Sequence, residues 1–232
     1  MSYLRFQTPK ENRNNIITFF IIFMYFIGIY STLGEPFSLS FFIAAIVPIA
    51  IIQLWAIIYL IDPYKYEKSY YLFFGIYGVV NTYVYFLAIQ KFLYFHMGAT
   101  GKVPFIIGVI LFVALLVGIN WMNWKALYSG TYHKLQQKNN IPVSWIAISG
   151  LGYMLAQIIL SFFHEQSAVY TLLIICISLL SLMTAFFSVN IHKYFFIRKN
   201  MDLVKKVYPE FGLQKSERNL NEKKRKKKRK SR

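Results

Sequence analysis

Only a few side chains in this chain are of the types that carry metal or acid–base chemistry. The sequence has nine acidic residues and four histidines among 232 residues. Those predicted to lie together on the outer side of a membrane are Glu35, His96, His164 and Glu165. Imidazole and carboxylate groups are ordinary ligands of divalent metals, so these four residues are the candidates for a metal site. The simpler interpretation, which we favour, is four solvated loop residues, and no metal or other cofactor is predicted.

Motifs that would indicate an enzyme are missing from the sequence. There is no HExxH zinc-protease motif, no GxSxG nucleophile elbow and no P-loop. No Asp, Glu or Arg lies in the middle of a long apolar stretch, where a charge would mark an ion path, a proton relay or a catalytic centre. The single cysteine, Cys176, excludes an internal disulfide and is interpreted as an apolar filler. We therefore predict that the protein is not an enzyme.

The strongest charge feature is a run of basic residues near the carboxyl terminus. Residues 192–232 hold 16 of the 26 lysines and arginines of a chain whose net charge is +17. Eight of them are consecutive: Lys223, Lys224, Arg225, Lys226, Lys227, Lys228, Arg229 and Lys230. Such a polybasic run binds anionic lipid, or the phosphates of RNA, including those of a ribosome, or it serves only to fix the topology of the chain. We favour lipid binding or topology over RNA, and no DNA partner is expected.

The elements that would position these residues are apolar stretches of about 20 residues, long enough for a helix to cross about 30 Å of hydrocarbon. With 56% hydrophobic and 15% charged residues, the chain has too few charges to cover a soluble domain. We predict an all-α, polytopic integral membrane protein, a bundle of six transmembrane helices that follows a polar segment, residues 1–14. The spans are predicted at about 15–32, 39–61, 69–95, 103–124, 142–163 and 168–191, and a basic tail covers 192–232.

The third span is the most polar of the six, and we predict it at the centre of the bundle. Its middle carries adjacent amide and hydroxyl side chains, which are disfavoured against lipid. The polar side chains predicted to face the bundle interior are Gln53, Tyr77, Asn81, Thr82, Tyr85 and Gln157. We interpret them as groups that hydrogen-bond helices together at about 0.6–2 kcal/mol each, and a lining for a polar substrate path is the alternative.

Small side chains recur at helical spacing in three of the spans. They allow neighbouring helices to approach closely, which indicates a compact bundle. The residues predicted to pack in this way are Gly75 and Gly78 in the third span, Ser149 and Gly152 in the fifth, and Ser178 and Ser181 in the sixth.

The distribution of positive charge predicts which side each connection faces. With both termini in the cytoplasm, 24 of the 26 lysines and arginines lie in cytoplasmic segments. In the tail, residues 202–213 are expected to begin as a short amphipathic helix that Pro209 ends, and the chain is expected to be disordered from about 215. The content of Ile, Phe, Tyr, Lys and Asn is typical of an AT-rich genome, so we predict a bacterial cell membrane as the location.

These observations leave three functions open. The first, which we favour, is a non-enzymatic accessory, immunity or signalling component of the cell membrane whose tail binds anionic lipid. The second is the membrane permease subunit of a transporter driven by a separate ATPase, which would dock on the loops at 62–68 and 125–141. The third is a ribosome-associated membrane insertion factor, because a basic tail after a helix bundle is also seen in membrane-protein insertases. The partners expected are therefore anionic lipid, a protein such as an ATPase subunit and, less favoured, RNA or a ribosome.

Overall fold

The computed structural model describes residues 6–130 and 166–218. These residues form helices that short connections join within each described range, and no β-strand occurs among them. We number the described helices in chain order: α1 (Pro9–Leu33), α2 (Leu39–Ile61), α3 (Glu67–Phe95), α4 (Val103–Tyr128), α5 (Gln166–Ala185), α6 (Val189–Lys199) and α7 (Met201–Val207). A 3₁₀ turn, Phe186–Ser188, joins α5 to α6.

Five of the described helical segments are long and apolar enough to cross a membrane. They are α1, α2, α3, α4 and the continuous α5–α6 segment, Ser167–Lys199. This confirms the predicted all-helical class and agrees with a location in a membrane. The predicted fifth span, 142–163, lies outside the described residues.

Two helices extend further into their polar flanks than hydropathy predicts. α1 begins at Pro9 rather than near residue 15, because Thr8 caps it: the Thr8 hydroxyl accepts the Glu11 N–H at 3.3 Å, and the Glu11 carboxylate accepts the Thr8 N–H at 2.7 Å. The α5–α6 segment ends at Lys199 rather than near residue 191, and its last turn carries Arg198 and Lys199, whose charges suit the negative end of a helix dipole. Hydropathy thus locates the apolar part of a helix but not its capped ends.

The central element of the bundle is α3. In its most apolar window 67% of the residues are buried, against 28% or less in the other four spans. It packs against α1, α2, α4 and the α5–α6 segment. The main core lies between α3 and the first two helices and contains Met24, Ile49 and Phe73, all inaccessible to solvent.

Two glycines of α3 bring the α5–α6 segment against its backbone. A Cβ atom on Gly78 would lie 2.6 Å from the Cβ of Phe187 and 2.8 Å from the carbonyl oxygen of Thr184. A Cβ atom on Gly75 would lie 2.7 Å from the backbone nitrogen of Ile191. Because no side chain fits between the two backbones, small residues at these positions are what permits the contact.

The two ends of the bundle carry different segments. We call the end that holds residues 6–8, 62–67 and 200–218 the tail face, since the ring centroids of Phe6 and Phe211 lie 4.5 Å apart there. We call the end that holds residues 34–38 and 96–102 the opposite face. The His96 ring stacks at 3.8 Å on Tyr170, so α5 begins at the opposite face. Antiparallel to α3, α4 begins at the opposite face and ends at the tail face, with its Asn120 amide donating to Ser188 at 2.8 Å.

Candidate functional site

The polar interior of the bundle is built on one side of α3, which faces α1. The Tyr77 hydroxyl donates to the backbone carbonyl of Phe19 at 2.8 Å, and the Tyr85 hydroxyl donates to that of Phe23 at 2.9 Å. Both tyrosine side chains are inaccessible to solvent. The segment Phe20–Ile29 of α1 is π-helical, and the wider turn of a π-helix alters the ordinary backbone hydrogen-bonding pattern there. The two tyrosines therefore fix α1 to α3 through main-chain acceptors.

A second polar contact joins α3 to α5. The hydroxyls of Thr82 and Thr184 lie 3.0 Å apart, and the Thr82 hydroxyl also lies 2.8 Å from the Gly78 carbonyl. The Asn81 amide is buried beside the Tyr85 hydroxyl and makes no hydrogen bond of good geometry within the described part of the chain. Each of these groups lies where helices meet, so their arrangement serves helix association.

Three other residues, which the sequence predicts in the interior or in packing faces, differ in how far they are buried. Gln53 is exposed on the outer surface of α2, so its predicted place in the bundle interior is wrong: the opposite side of α2, with Ile49 and Ile52, is the side that packs inward. Ser178 is exposed, and its hydroxyl bonds its own helix at the Ile174 carbonyl, at 2.7 Å. Ser181 is buried. The remaining predicted positions, Gln157, Ser149 and Gly152, lie outside the described residues.

The sequence did not predict a buried lysine near the end of α3. The side chain of Lys91 is inaccessible to solvent, and its Nζ donates to the carbonyls of Thr32, at 2.9 Å, and Gly34. A long basic side chain near the end of a membrane-crossing helix ordinarily extends to the lipid headgroups. Lys91 instead neutralises the carboxyl end of α1, where the last carbonyls have no partner within the helix and the dipole is negative. The sequence feature that could have indicated this contact is the absence of a basic residue from the last turn of α1.

The structure describes two of the four candidate metal ligands. Glu35 and His96 lie together on the opposite face, where the His96 imidazole interacts with the Glu35 backbone. Burial and the nearby Lys91 charge lower the pKa of His96. The described residues contain no group of three metal-ligating side chains. His164 and Glu165 lie outside the described residues.

On the tail face, the chain after α6 docks onto the first residue of α3. The Glu67 carboxylate is 3% exposed, accepts the backbone N–H of Gly212 at 2.7 Å and forms an ion pair with Arg218. We call these three residues the tail anchor. The Phe6 ring packs at 4.7 Å on Tyr208 and closes the apolar side of this contact. Residues 215–218 form a helical turn that the Arg218 ion pair holds on this carboxylate, and disorder of the tail beyond them stays a prediction.

A glycine is required within the tail anchor. Gly212 has φ +75°, a left-handed conformation that a side chain disfavours, and a Cβ atom there would overlap the Lys68 side chain. Nearby, the Lys193 Nζ lies 4.4 Å from the ring centroid of Tyr71, a cation–π contact that joins α6 to α3. The tail thus docks through charge, aromatic packing and backbone shape together.

The eight residues of the polybasic run, 223–230, lie outside the described residues. Comparison with protein-family models, with curated proteins and with solved structures found no match to this chain.

Proposed function

We propose that this protein is a non-enzymatic accessory, immunity or signalling component of a bacterial cell membrane, whose tail binds anionic lipid through Lys223–Lys230. The observation that carries the proposal is the tail anchor. It ties the chain to the end of α3 at the tail face. The polybasic run begins only five residues after Arg218. A basic segment held at a membrane surface gains about 1 kcal/mol for each lysine or arginine near an anionic leaflet.

The geometry of the chain supports this arrangement. A residue spans at most about 3.6 Å, so the Cα atom of Lys223 lies within about 18 Å of that of Arg218. A tail free from Lys199 onward could carry Lys223 to about 86 Å from the helix end. Electrostatic attraction to an anionic membrane surface decays over about 8 Å at physiological ionic strength. By keeping the polybasic run close to that surface, the tail anchor raises its effective concentration there.

The proposal includes six spans with both termini in the cytoplasm. Its support is that α4 ends at the tail face and α5 begins at the opposite face, so the chain between them passes from one face to the other. The predicted span 142–163 is an apolar stretch of the length needed for such a passage. The tail face carries Lys10, Arg13 and Lys65 besides the tail, and positive charge favours the cytoplasmic side.

A non-enzymatic role is supported by the way in which four buried polar side chains of α3 are used. The hydroxyls of Tyr77, Thr82 and Tyr85 bond neighbouring helices or their own backbone, and Lys91 bonds the end of α1. Groups engaged in this way hold helices together and are not poised for proton transfer or nucleophilic attack.

The permease subunit is the second candidate, and one observation favours it. A cavity of about 580 Å³ lies between α3, α4 and α5, lined mainly by apolar side chains. The Gln90 amide borders it, is 1% exposed and has an oxygen without a hydrogen-bond partner in the described part of the chain. A cavity of this size accommodates a small amphipathic molecule. Flux of such a molecule into proteoliposomes, dependent on a co-purifying ATPase, would favour this candidate.

Lipid binding by the tail is tested with the full chain in nanodiscs. An environment-sensitive dye is attached at Ser231→Cys after the native thiol is removed by Cys176→Ala. We expect the dye to report an apolar, salt-sensitive environment in anionic nanodiscs but not in zwitterionic ones. A variant with glutamine at all eight basic positions should lose the difference.

Identical dye signals in both lipids would refute lipid binding. The same preparations, analysed by mass spectrometry of co-purifying proteins, test the other partners. A stoichiometric ATPase would support the permease subunit, and ribosomes that are lost with the polybasic run at low salt would support the insertion factor.

A further inference from the structure

The tail face contains a cavity of about 590 Å³ bordered by positive charge. Lys10 and Arg13 come from the start of α1, Lys65 from the α2–α3 turn and Lys215 from the tail. Asp62 is the one acidic residue in its lining, and we call this cavity the basic pocket. Three segments far apart in sequence thus place four cations around one space.

We propose that the basic pocket binds the phosphate group of an anionic lipid headgroup. In the part of the chain that the structure describes, none of the four cations forms an ion pair with an acidic residue, whereas Arg218 of the tail anchor pairs with Glu67. Four cations that outnumber the one carboxylate beside them repel each other, and a phosphate placed among them relieves that repulsion.

The single acidic group of the pocket is engaged by its own turn. One Asp62 carboxylate oxygen accepts the backbone N–H groups of Tyr64 and Lys65, at 3.2 Å and 3.0 Å. This Asx turn shapes the α2–α3 connection and directs the carboxylate to the backbone. The lining retains a net charge of about +3, which favours an anion.

The position of the pocket favours a lipid over a soluble phosphate compound. Ile61 lines the pocket and is 78% exposed, at the last residue of a membrane-crossing helix. One and two helical turns beyond Arg13, Ile17 and Ile21 are also exposed on α1. Apolar side chains that continue from the cations into the membrane region give acyl chains a surface to lie on while the headgroup occupies the pocket.

The tail anchor completes the pocket. Lys215 lies three residues before Arg218, whose Nε also donates to the Leu213 carbonyl at 3.2 Å. The Gln214 N–H donates to the Glu217 carboxylate at 3.2 Å, which closes the turn that carries Lys215. Release of the anchor would therefore withdraw one of the four cations.

The test uses the full chain with glutamine at Lys223–Lys230, so that it does not depend on the proposed function of the polybasic run. Native mass spectrometry measures the affinity for dioleoylphosphatidylglycerol, with dioleoylphosphatidylcholine as the uncharged comparison. We expect one tightly bound anionic lipid. Glutamine at Lys10, Arg13, Lys65 and Lys215 together should weaken it at least about a hundredfold, since each charge accounts for about fivefold.

A matched variant carries glutamine at four exposed cations outside the pocket: Lys102, Lys125, Arg198 and Lys205. It should keep the affinity within about twofold, because these charges do not face the bound phosphate. Glu67→Gln should weaken binding about fivefold by withdrawing Lys215. If the fourfold pocket variant does not fold, the four single substitutions, each expected to weaken binding about fivefold, replace it.

Two results would overturn the proposal. The first is equal affinity in the pocket and matched variants, which would mean that the lipid binds elsewhere. The second is displacement of the lipid by inorganic phosphate at millimolar concentration, which would assign the pocket to a soluble phosphate ligand instead. If the polybasic run fails to bind lipid while this site binds, only the proposed function of the run is refuted.

Discussion

Replacement of Gly78 by alanine should weaken the packing of α5–α6 against α3. The new Cβ atom would lie 2.8 Å from the Thr184 carbonyl oxygen and 2.6 Å from the Phe187 Cβ. Neither atom can rotate away, because one belongs to the backbone and the other is fixed to it. The helices must therefore separate by several tenths of an ångström before these contacts reach ordinary van der Waals distances.

The expected loss of stability follows from three effects. Overpacking of this kind destabilises by about 1–3 kcal/mol. The separation also stretches the 3.0 Å hydrogen bond between Thr82 and Thr184, worth about 0.6 kcal/mol in a membrane protein. Alanine has a higher helix propensity than glycine by about 1 kcal/mol, which offsets part of this loss. We expect a net destabilisation of about 1–2 kcal/mol.

Thermal unfolding of the purified protein in one detergent measures the effect. For a chain of this size we expect the midpoint of Gly78→Ala to fall by about 2–8 °C. Gly118→Ala is the matched control, because Gly118 lies within α4 and a Cβ atom there meets nothing within 4 Å. The control should keep or raise the midpoint, since only the gain in helix propensity applies. Equal midpoints for the two variants would refute the close approach of α3 and α5–α6.

Three further substitutions test other contacts of α3. Lys91→Met should lower stability by about 1.5–3 kcal/mol, because the last carbonyls of α1 lose a charged donor, and thermal unfolding at constant lipid content measures the loss. Tyr77→Phe and Tyr85→Phe should each lose about 0.6–1.7 kcal/mol, whereas the same change at exposed Tyr128 should have no effect in that assay. The pKa of His96 is lowered in the folded protein, so below about pH 6.5 the unfolded state binds more protons than the folded state. The free energy of unfolding should therefore decrease as the pH falls through that range. His96→Gln should reduce this dependence of the unfolding free energy on pH.

The sequence was sufficient for the features that depend on hydrophobic length and on local small residues. The apolar stretches predicted all five described spans, and the polar middle of the third span predicted its place at the centre of the bundle. Gly75 and Gly78 lie at the close contact that their spacing suggested. These features are local, because about 20 apolar residues in succession already specify a membrane-crossing helix.

Features that depend on long-range contacts were not predictable from the sequence. Lys91 lies in the interior because the end of α1, some 60 residues earlier, presents carbonyls to it. Residues 215–218 form a helical turn on the tail face because Arg218 contacts Glu67, which lies 151 residues earlier and is buried there. Gln53 could not be assigned to one side of α2, since that helix is apolar on nearly all sides. In each case the deciding partner is distant in the chain, and local composition does not identify it.

The docking of the tail on α3 is tested most directly by hydrogen–deuterium exchange of residues 208–218 in nanodiscs. We expect slow exchange there, because the amides of Phe211, Gly212 and Leu213 all donate hydrogen bonds, and that of Gly212 donates to the Glu67 carboxylate. Glu67→Gln should accelerate exchange in this segment by about tenfold or more, the ratio that corresponds to losing about 1.4 kcal/mol of a charge-assisted contact. Exchange as fast as in an unstructured peptide in the unsubstituted protein would contradict the account.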